Sequence, residues 1–142
     1  MRGTPPLEIP DEIDRFLGMP NPAVIACVRP NGFPSSVATW YDWRDGEILV
    51  NMHAERRRLG WMRLNPKVSL TVLDDSWYRH VSLTGLIVRI EDDVEMVEMD
   101  RLSRRYTGQP FARRKEKRVN AWIRPRGLHV WKDGGRFTAG SR

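Results

Sequence analysis

The residues with the most chemical potential in this chain are the three consecutive arginines of AERRRLGWMRLNP, Ala54 to Pro66. Residues 55–64 predict a short helix. They are mostly good helix formers, and Asn65-Pro66 supplies the stop, because Pro66 has no N–H to donate and pushes the residue before it out of the helical region. Arg56, Arg57 and Arg58 then crowd the first turn, an end that free N–H groups and the macrodipole already make positive. Each cation there costs about a few tenths of a kcal/mol. An anion at the helix start reverses that sign, since a phosphate against free N–H groups makes all three arginines favourable. They project at about 100° intervals, so not all three reach one ligand. A solvated turn, or one salt-bridged to Asp42 or Asp45 of the preceding hairpin, accounts for the pattern equally well, and the residues alone leave both readings open.

Other chemistry is sparse. His53, His80 and His129 are far apart, with no acid or cysteine at metal-ligand spacing, so no metal site is expected. No G-x-S-x-G, Walker or G-x-G-x-x-G motif occurs, and the single cysteine, Cys27, sits in the apolar run AVIACV, where it reads as a small core residue. An enzyme built from this chain would therefore rely on a bound cofactor. Tyr78 and His53 could supply a proton, although such residues more often serve as ordinary strand-end or packing groups. The net charge of +6 is carried mainly by arginine. Arginine forks suit phosphates and carboxylates, while a solvated basic surface fits the same composition. ERRR, ARRKEKR (112–118) and six tryptophans raise a nucleic-acid-binding module as a distinct class. Base stacking needs aromatics exposed beside a basic groove, whereas Trp40, Trp122 and Trp131 fall inside predicted strands, and ARRKEKR reads as a solvated segment.

These residues need a scaffold, and 142 residues suffice for one domain, 1–142. Lack of a disulfide framework, of a signal peptide and of any membrane-length apolar run predicts a soluble cytoplasmic protein. The pattern predicts an irregular N-terminus (1–10), a short helix at 11–18, a buried strand at 23–28 and a type I turn at 29–32. A hairpin of 33–43 with 47–52 follows, making the first three strands a meander. Next come the arginine-rich helix, a strand at 68–74, a long β segment over 75–92 bent at Gly85, and a helix at 93–108 with its charges in the favourable direction. Strands at 119–124 and 128–132, joined by a PRG turn, lead to a tail expected to be disordered at its end. So many short-linked strands favour an antiparallel sheet closing into a barrel, with two or three helices.

The order of parts also resembles a known family. VRPNGFPSSVATWYDWRDG leads to ILVNMHAERRRLGWMRLNPKVSLTVLDD, then YRHVSLTG and finally IRPRGLHVW. Over roughly residues 20 to 132 this is similar to the pyridoxamine 5'-phosphate oxidase-like split barrels (the FMN-binding split-barrel fold), and within them to the deazaflavin (coenzyme F420)-dependent oxidoreductases. The resemblance implies an antiparallel split β-barrel and a homodimer with cofactor sites at the subunit interface. It implies that Arg58, where the family usually has Lys, binds the cofactor phosphate with Arg56 and Arg57, which also reach its acidic tail. Ser36, Val37, Ala38, Thr39 and Trp40 would present backbone to the ring, Asn51 and Met52 would form the strand end before the basic helix, and Trp131 would close the site from Pro125 onward. Three positions depart from the family pattern: Ala38 replaces a common Pro, Met52 replaces a hydroxyl residue, and Trp61 stands where Asn is frequent. The implied function is a coenzyme F420H2-dependent reductase that passes hydride to an electron-poor small molecule, an activated C=C or an imine. An FMN-binding flavoprotein of the pyridoxamine-phosphate oxidase type and a non-catalytic F420 carrier are the neighbouring alternatives.

Overall fold

A computed structural model describes residues 7–132 and 135–140, the latter without the side chains of 136–138. The chain opens with α1 (Asp11–Leu17), which starts after Pro10, places Asp11, Glu12 and Asp14 in its first turn and ends at Gly18. Three acids at the positive end of the dipole and proline just before the helix are the expected signals. Strands β1 (Ala23–Val28), β2 (Pro34–Thr39), β3 (Asp42–Arg44) and β4 (Glu47–His53) follow, then α2 (Arg57–Leu64), β5 (Lys67–Leu73) and β6 (His80–Asp92). A single 3-10 turn, Val94–Met96, leads into α3 (Val97–Thr107), and β7 (Arg118–Lys132) and β8 (Gly135–Gly140) complete the chain.

All strands join one antiparallel sheet in the order β2-β1-β5-β6-β7-β4-β3, with β8 added to the far half of β7. The path does not close: β2 and β3 remain edges. The sheet is nevertheless strongly curled. In a flat sheet β1 and β4, four steps apart, would lie about 19 Å from one another. Instead Ala23, Ile25 and Cys27 of β1 and Ile48, Val50 and Met52 of β4 belong to one packed core with Leu70, Leu83 and Ile123. This is a split barrel.

The sequence misplaces three features. Residues 33–43 are not one strand, and the first three strands are not a meander: β2 pairs back onto β1 while β3 pairs with β4, at opposite ends of the sheet. The chain crosses between them at Trp40-Tyr41. Tyr41 is fully buried there, and its hydroxyl donates to the carbonyls of Leu17 at 2.8 Å and Met19 at 3.0 Å. The PRG segment is not a turn either. β7 runs straight through it, Gly85 faces Pro125 and Thr84 faces Gly127, so Arg126 is the extra residue of a bulge. A bulge is one of the few places a central strand tolerates proline. The bend expected at Gly85 is this bulge, where a Cβ would sit 2.7 Å from the Arg124 carbonyl oxygen. Third, 135–140, in the tail where no strand was expected, pairs with β7, while the tail's end, 141–142, like 1–6, lies outside the described residues.

The helix expected over 93–108 is broken near its start, with Glu95 and Met96 both in the left-handed region at φ 57°. The break turns Val94 and Val97 out to solvent and leaves Met96, Met99 and Leu102 as the buried set. Asp93 fastens the new start, its carboxylate accepting from the Glu98 N–H at 3.0 Å and the Met99 N–H at 2.8 Å. At the other end Gly108 caps α3 in the left-handed conformation. Arg105 of α3 then donates to the carbonyls of Leu17, Gly18 and Met19, tying α3 to the end of α1.

Candidate functional site

Between the sheet and α3 lies a cavity of about 500 Å³, within the size range of small-molecule sites. β1 and β2 contribute Ala23, Ala38 and Thr39, and the crossing that follows contributes Trp40. Asn51 comes from the end of β4, Arg58 from the first turn of α2 and Arg118 from the first residue of β7. α3 supplies Met99, Leu102 and Tyr106, and Phe111 closes one side. Trp40 and Tyr106 stack with centroids 5.3 Å apart and planes 6° from parallel, giving one wall an aromatic surface. Among the described residues no Asp, Glu, His, Cys or Lys lines the cavity. Its titratable phenol, Tyr106, has its pKa raised by burial, and the hydroxyl donates to the Asn21 carbonyl at 2.8 Å.

Arg58 is the electrostatic anomaly. α2 begins at Arg57 with Arg56 as its cap, so Glu55 lies outside the helix and the first turn holds no acid. Arg56 and Arg57 are exposed, but Arg58 is half-buried and its Nε makes no hydrogen bond. Asp42, one of the acids expected to neutralise the cluster, is engaged with Arg44 and Arg105 instead, and among the described residues Arg58 has no ion-pair partner. Burial, then the positive charge of Arg56, and to a smaller extent that of Arg118, push its pKa down. A guanidinium stays charged regardless, so the cost of its burial near other positive charge is only partly offset, by Cys27, in the protein alone. An anion in the cavity relieves it.

Arg118 is paired and held. Its Nε donates to Asn51 Oδ1 at 2.9 Å and its Nη1 to Glu116 Oε2 at 2.7 Å. Asn51 is buried, and its Nδ2 donates to Asp93 Oδ2 at 3.0 Å and Asn120 Oδ1 at 2.7 Å. The cavity floor is thus a connected polar network that includes the Arg118 guanidinium, with Arg58 beside it but not bonded to it.

A family model described as pyridoxamine 5'-phosphate oxidase matches residues 9–132. The chain belongs to the pyridoxamine 5'-phosphate oxidase family. Among solved structures it is similar to an F420 reductase, with 27% identity over 84% of this chain and 98% of that one and a TM-score of 0.77. A conserved hypothetical protein of Mycobacterium tuberculosis is similar at 26% identity, covering 93% of this chain and 90% of that one, with a TM-score of 0.72. A pyridoxamine 5'-phosphate oxidase-related, FMN-binding protein of Nostoc punctiforme shares the fold at 8% identity, covering 91% and 85% with a TM-score of 0.65. Comparison with curated proteins gives no match.

In this pyridoxamine 5'-phosphate oxidase family member the cavity brings together Ala38, Thr39, Trp40, Asn51 and Arg58 from the residues singled out in the sequence. Ser36 and Val37 lie further along β2, exposed, and do not line it. Met52 points the other way, into the core, because successive strand residues alternate faces. Trp131 lines a separate cavity of about 200 Å³ beside α1. His53 accepts the Glu55 N–H at Nδ1, Tyr78 is 75% exposed, and neither lines the main cavity. Sequence reasoning missed the α3 residues, and it placed Arg118 only within a solvated ARRKEKR segment touching at most the cofactor tail. Arg118 closes the ARRKEKR run, and only the pairing of Asn51 with Asn120 across β4 and β7 shows that it turns inward.

Proposed function

We propose that the protein is a reductase that binds reduced coenzyme F420 in this cavity and acts on an electron-poor small molecule. The carrying observation is Arg58, a half-buried guanidinium with an unbonded Nε and no acidic partner among the described residues, on a cavity that joins a polar floor of Asn51 and Arg118 to an aromatic and apolar wall. That combination suits a planar ring bearing a phosphate. Similarity to an F420 reductase at 27% identity supports the deazaflavin over other phosphate-bearing rings. When bound, the cofactor supplies a hydride from its deazaflavin C5 to an activated C=C or imine.

The protein's own part is binding and exclusion. Arg58 anchors the anionic group, and the exposed Arg56 and Arg57 offer charge to an acidic tail beyond it. Trp40 and Tyr106 give the ring a flat neighbour, and Met99, Leu102 and Phe111 keep water from it. Ala38 leaves more room on the ring-facing strand than the family's common proline. Among the described residues no carboxylate or imidazole lines the wall, so no side chain is assigned as proton donor. As a single split-barrel domain in the cytoplasm the protein would act as a homodimer. Phe33, just before the edge strand β2, and Val37 within it are 67% and 38% exposed and offer apolar surface for such an interface.

The test is a fluorescence titration with oxidised coenzyme F420 and, in parallel, FMN, on the wild type and Arg58→Ala. Tight F420 binding, weak FMN binding and a loss of about 10- to 100-fold in the variant, the worth of a charge-assisted contact, are expected. FMN preference moves the protein to the flavin branch. Binding of neither removes the proposal.

A further inference from the structure

Arg118 is fixed from three sides. Asn51 holds its Nε, Glu116 holds its Nη1, and the ring of Phe111 lies 5.0 Å from its guanidinium carbon. The side chain is only 12% exposed, and Nη2 makes no hydrogen bond among the described residues. Asn51 cannot flip to release it. Its two amide protons are committed to Asp93 and Asn120, which leaves Oδ1 as the atom that faces Arg118. Glu116 does not require this arrangement, since its other oxygen also meets Arg113. A long side chain immobilised this thoroughly, with one terminal nitrogen left unbonded on a cavity wall, is arranged for recognition.

We propose that Arg118 is a second anion-binding residue of the cavity, its free Nη2 and Arg58 taking different oxygens of one phosphate group, with Asn51 and Glu116 as positioning residues. The molecule that carries the phosphate rests on the reading above; the anion site does not. Two guanidiniums in one cavity repel each other, and a phosphate between them turns that repulsion into two charge-assisted contacts. Lysine cannot replace Arg118, because one ammonium cannot reproduce the planar fork that meets Asn51, Glu116 and a ligand at once.

Wild type, Arg118→Gln and Arg118→Lys are titrated with coenzyme F420, its deazaflavin alcohol lacking phosphate and tail, FMN and riboflavin. Melting temperature is followed in inorganic phosphate against chloride at equal ionic strength. Assigned arginine side-chain NMR signals of the wild type give a readout that needs no variant. The expected result is a 10- to 100-fold loss of the phosphorylated ligands in both variants and less than twofold change for the unphosphorylated ones. Stabilisation by phosphate is expected in the wild type alone, with the Arg58 and Arg118 signals shifting on its addition. Equal loss of both ligand types, rescue by lysine, or an Arg118 signal indifferent to phosphate overturns the proposal. If no flavin binds the wild type but phosphate stabilises it and shifts Arg118, the reductase reading fails and the anion site stands. If phosphate does neither, both fall.

Discussion

Asn51 and Asn120 face each other across β4 and β7, the amide of the first donating to the carbonyl of the second at 2.7 Å, in a buried site that also takes in Asp93. Through this contact the wall of the cavity and the start of α3 become one unit. Asp93 accepts from Asn51 on one side and from two N–H groups of α3 on the other.

Asp93→Ala should therefore be costly. It strands the Met99 N–H and one Asn51 proton in a buried site and removes the fastening of a helix start that already contains two left-handed residues. A loss of about 2–4 kcal/mol is expected, read as a lower urea midpoint at unchanged slope. A loss below about 0.5 kcal/mol would show that water replaces the carboxylate.

Arg58→Met should act in the opposite direction on the protein without ligand. It removes a half-buried cation that sits near other positive charge and has no acidic partner among the described residues. A gain of about 1 kcal/mol, or about 2–5 °C in melting temperature, is expected, together with weaker phosphate-dependent binding. Destabilisation would mean that the stem of Arg58 packs more favourably than its charge costs.

Gly85→Ala tests the bulge. The added Cβ would lie 2.7 Å from both the Arg124 carbonyl oxygen and Ile123 Cγ2, and the first of these is backbone that cannot rotate away. A cost of about 1–3 kcal/mol is expected, measurable by thermal unfolding. A neutral result would show that β6 and β7 slide past each other at this point.

Asp100 gives a pH signature. Its hydrogen bond to Arg114, followed by that from the Phe111 N–H, holds its carboxyl below the usual range. The folded-state pKa is thus below the unfolded value of about 3.9. The unfolded chain binds more protons between the two, and this contribution to stability is complete above about pH 4 and fades as pH falls through the folded pKa. Asp100→Asn should flatten the acid limb of the stability curve. The Phe111 amide resonance should report the titration in the wild type.

Much of this architecture was legible in the chain. The apolar run AVIACV is strand β1, α2 ends where Asn65-Pro66 stops it, and Gly85 marks a real irregularity. What failed was whatever depends on the partner across the sheet. Nothing local in FPSSVATWYDW says that the chain changes edges at Trp40-Tyr41; the cause is Tyr41 binding carbonyls at the end of α1. Pro125-Arg126-Gly127 has turn composition, but β6 extends along both sides of it and absorbs Arg126 as a bulge. The same limit applies at the cavity. Arg58 stands out because its charge opposes the helix dipole, whereas Arg118 looks like one more cation in a basic run until β4 is laid beside β7.

The closing of α1 and β4 by late residues sets an order of events on the ribosome. The carbonyl of Leu17 waits for Arg105, 88 residues further on, and Asn51 waits for Asn120, 69 residues further on. At about 5–20 residues per second, the second interval alone lasts about 3–14 s. A seven-residue helix does not persist by itself, and β4 has only the three-residue β3 to pair with until β7 emerges. Ile48, Val50 and Met52 share their core with residues of β1, β5 and β6 that emerge earlier, but β4 gains its second ladder only when the C-terminal strand arrives. Slowed translation between residues 53 and 118 would lengthen the time that β4 spends with one edge unpaired.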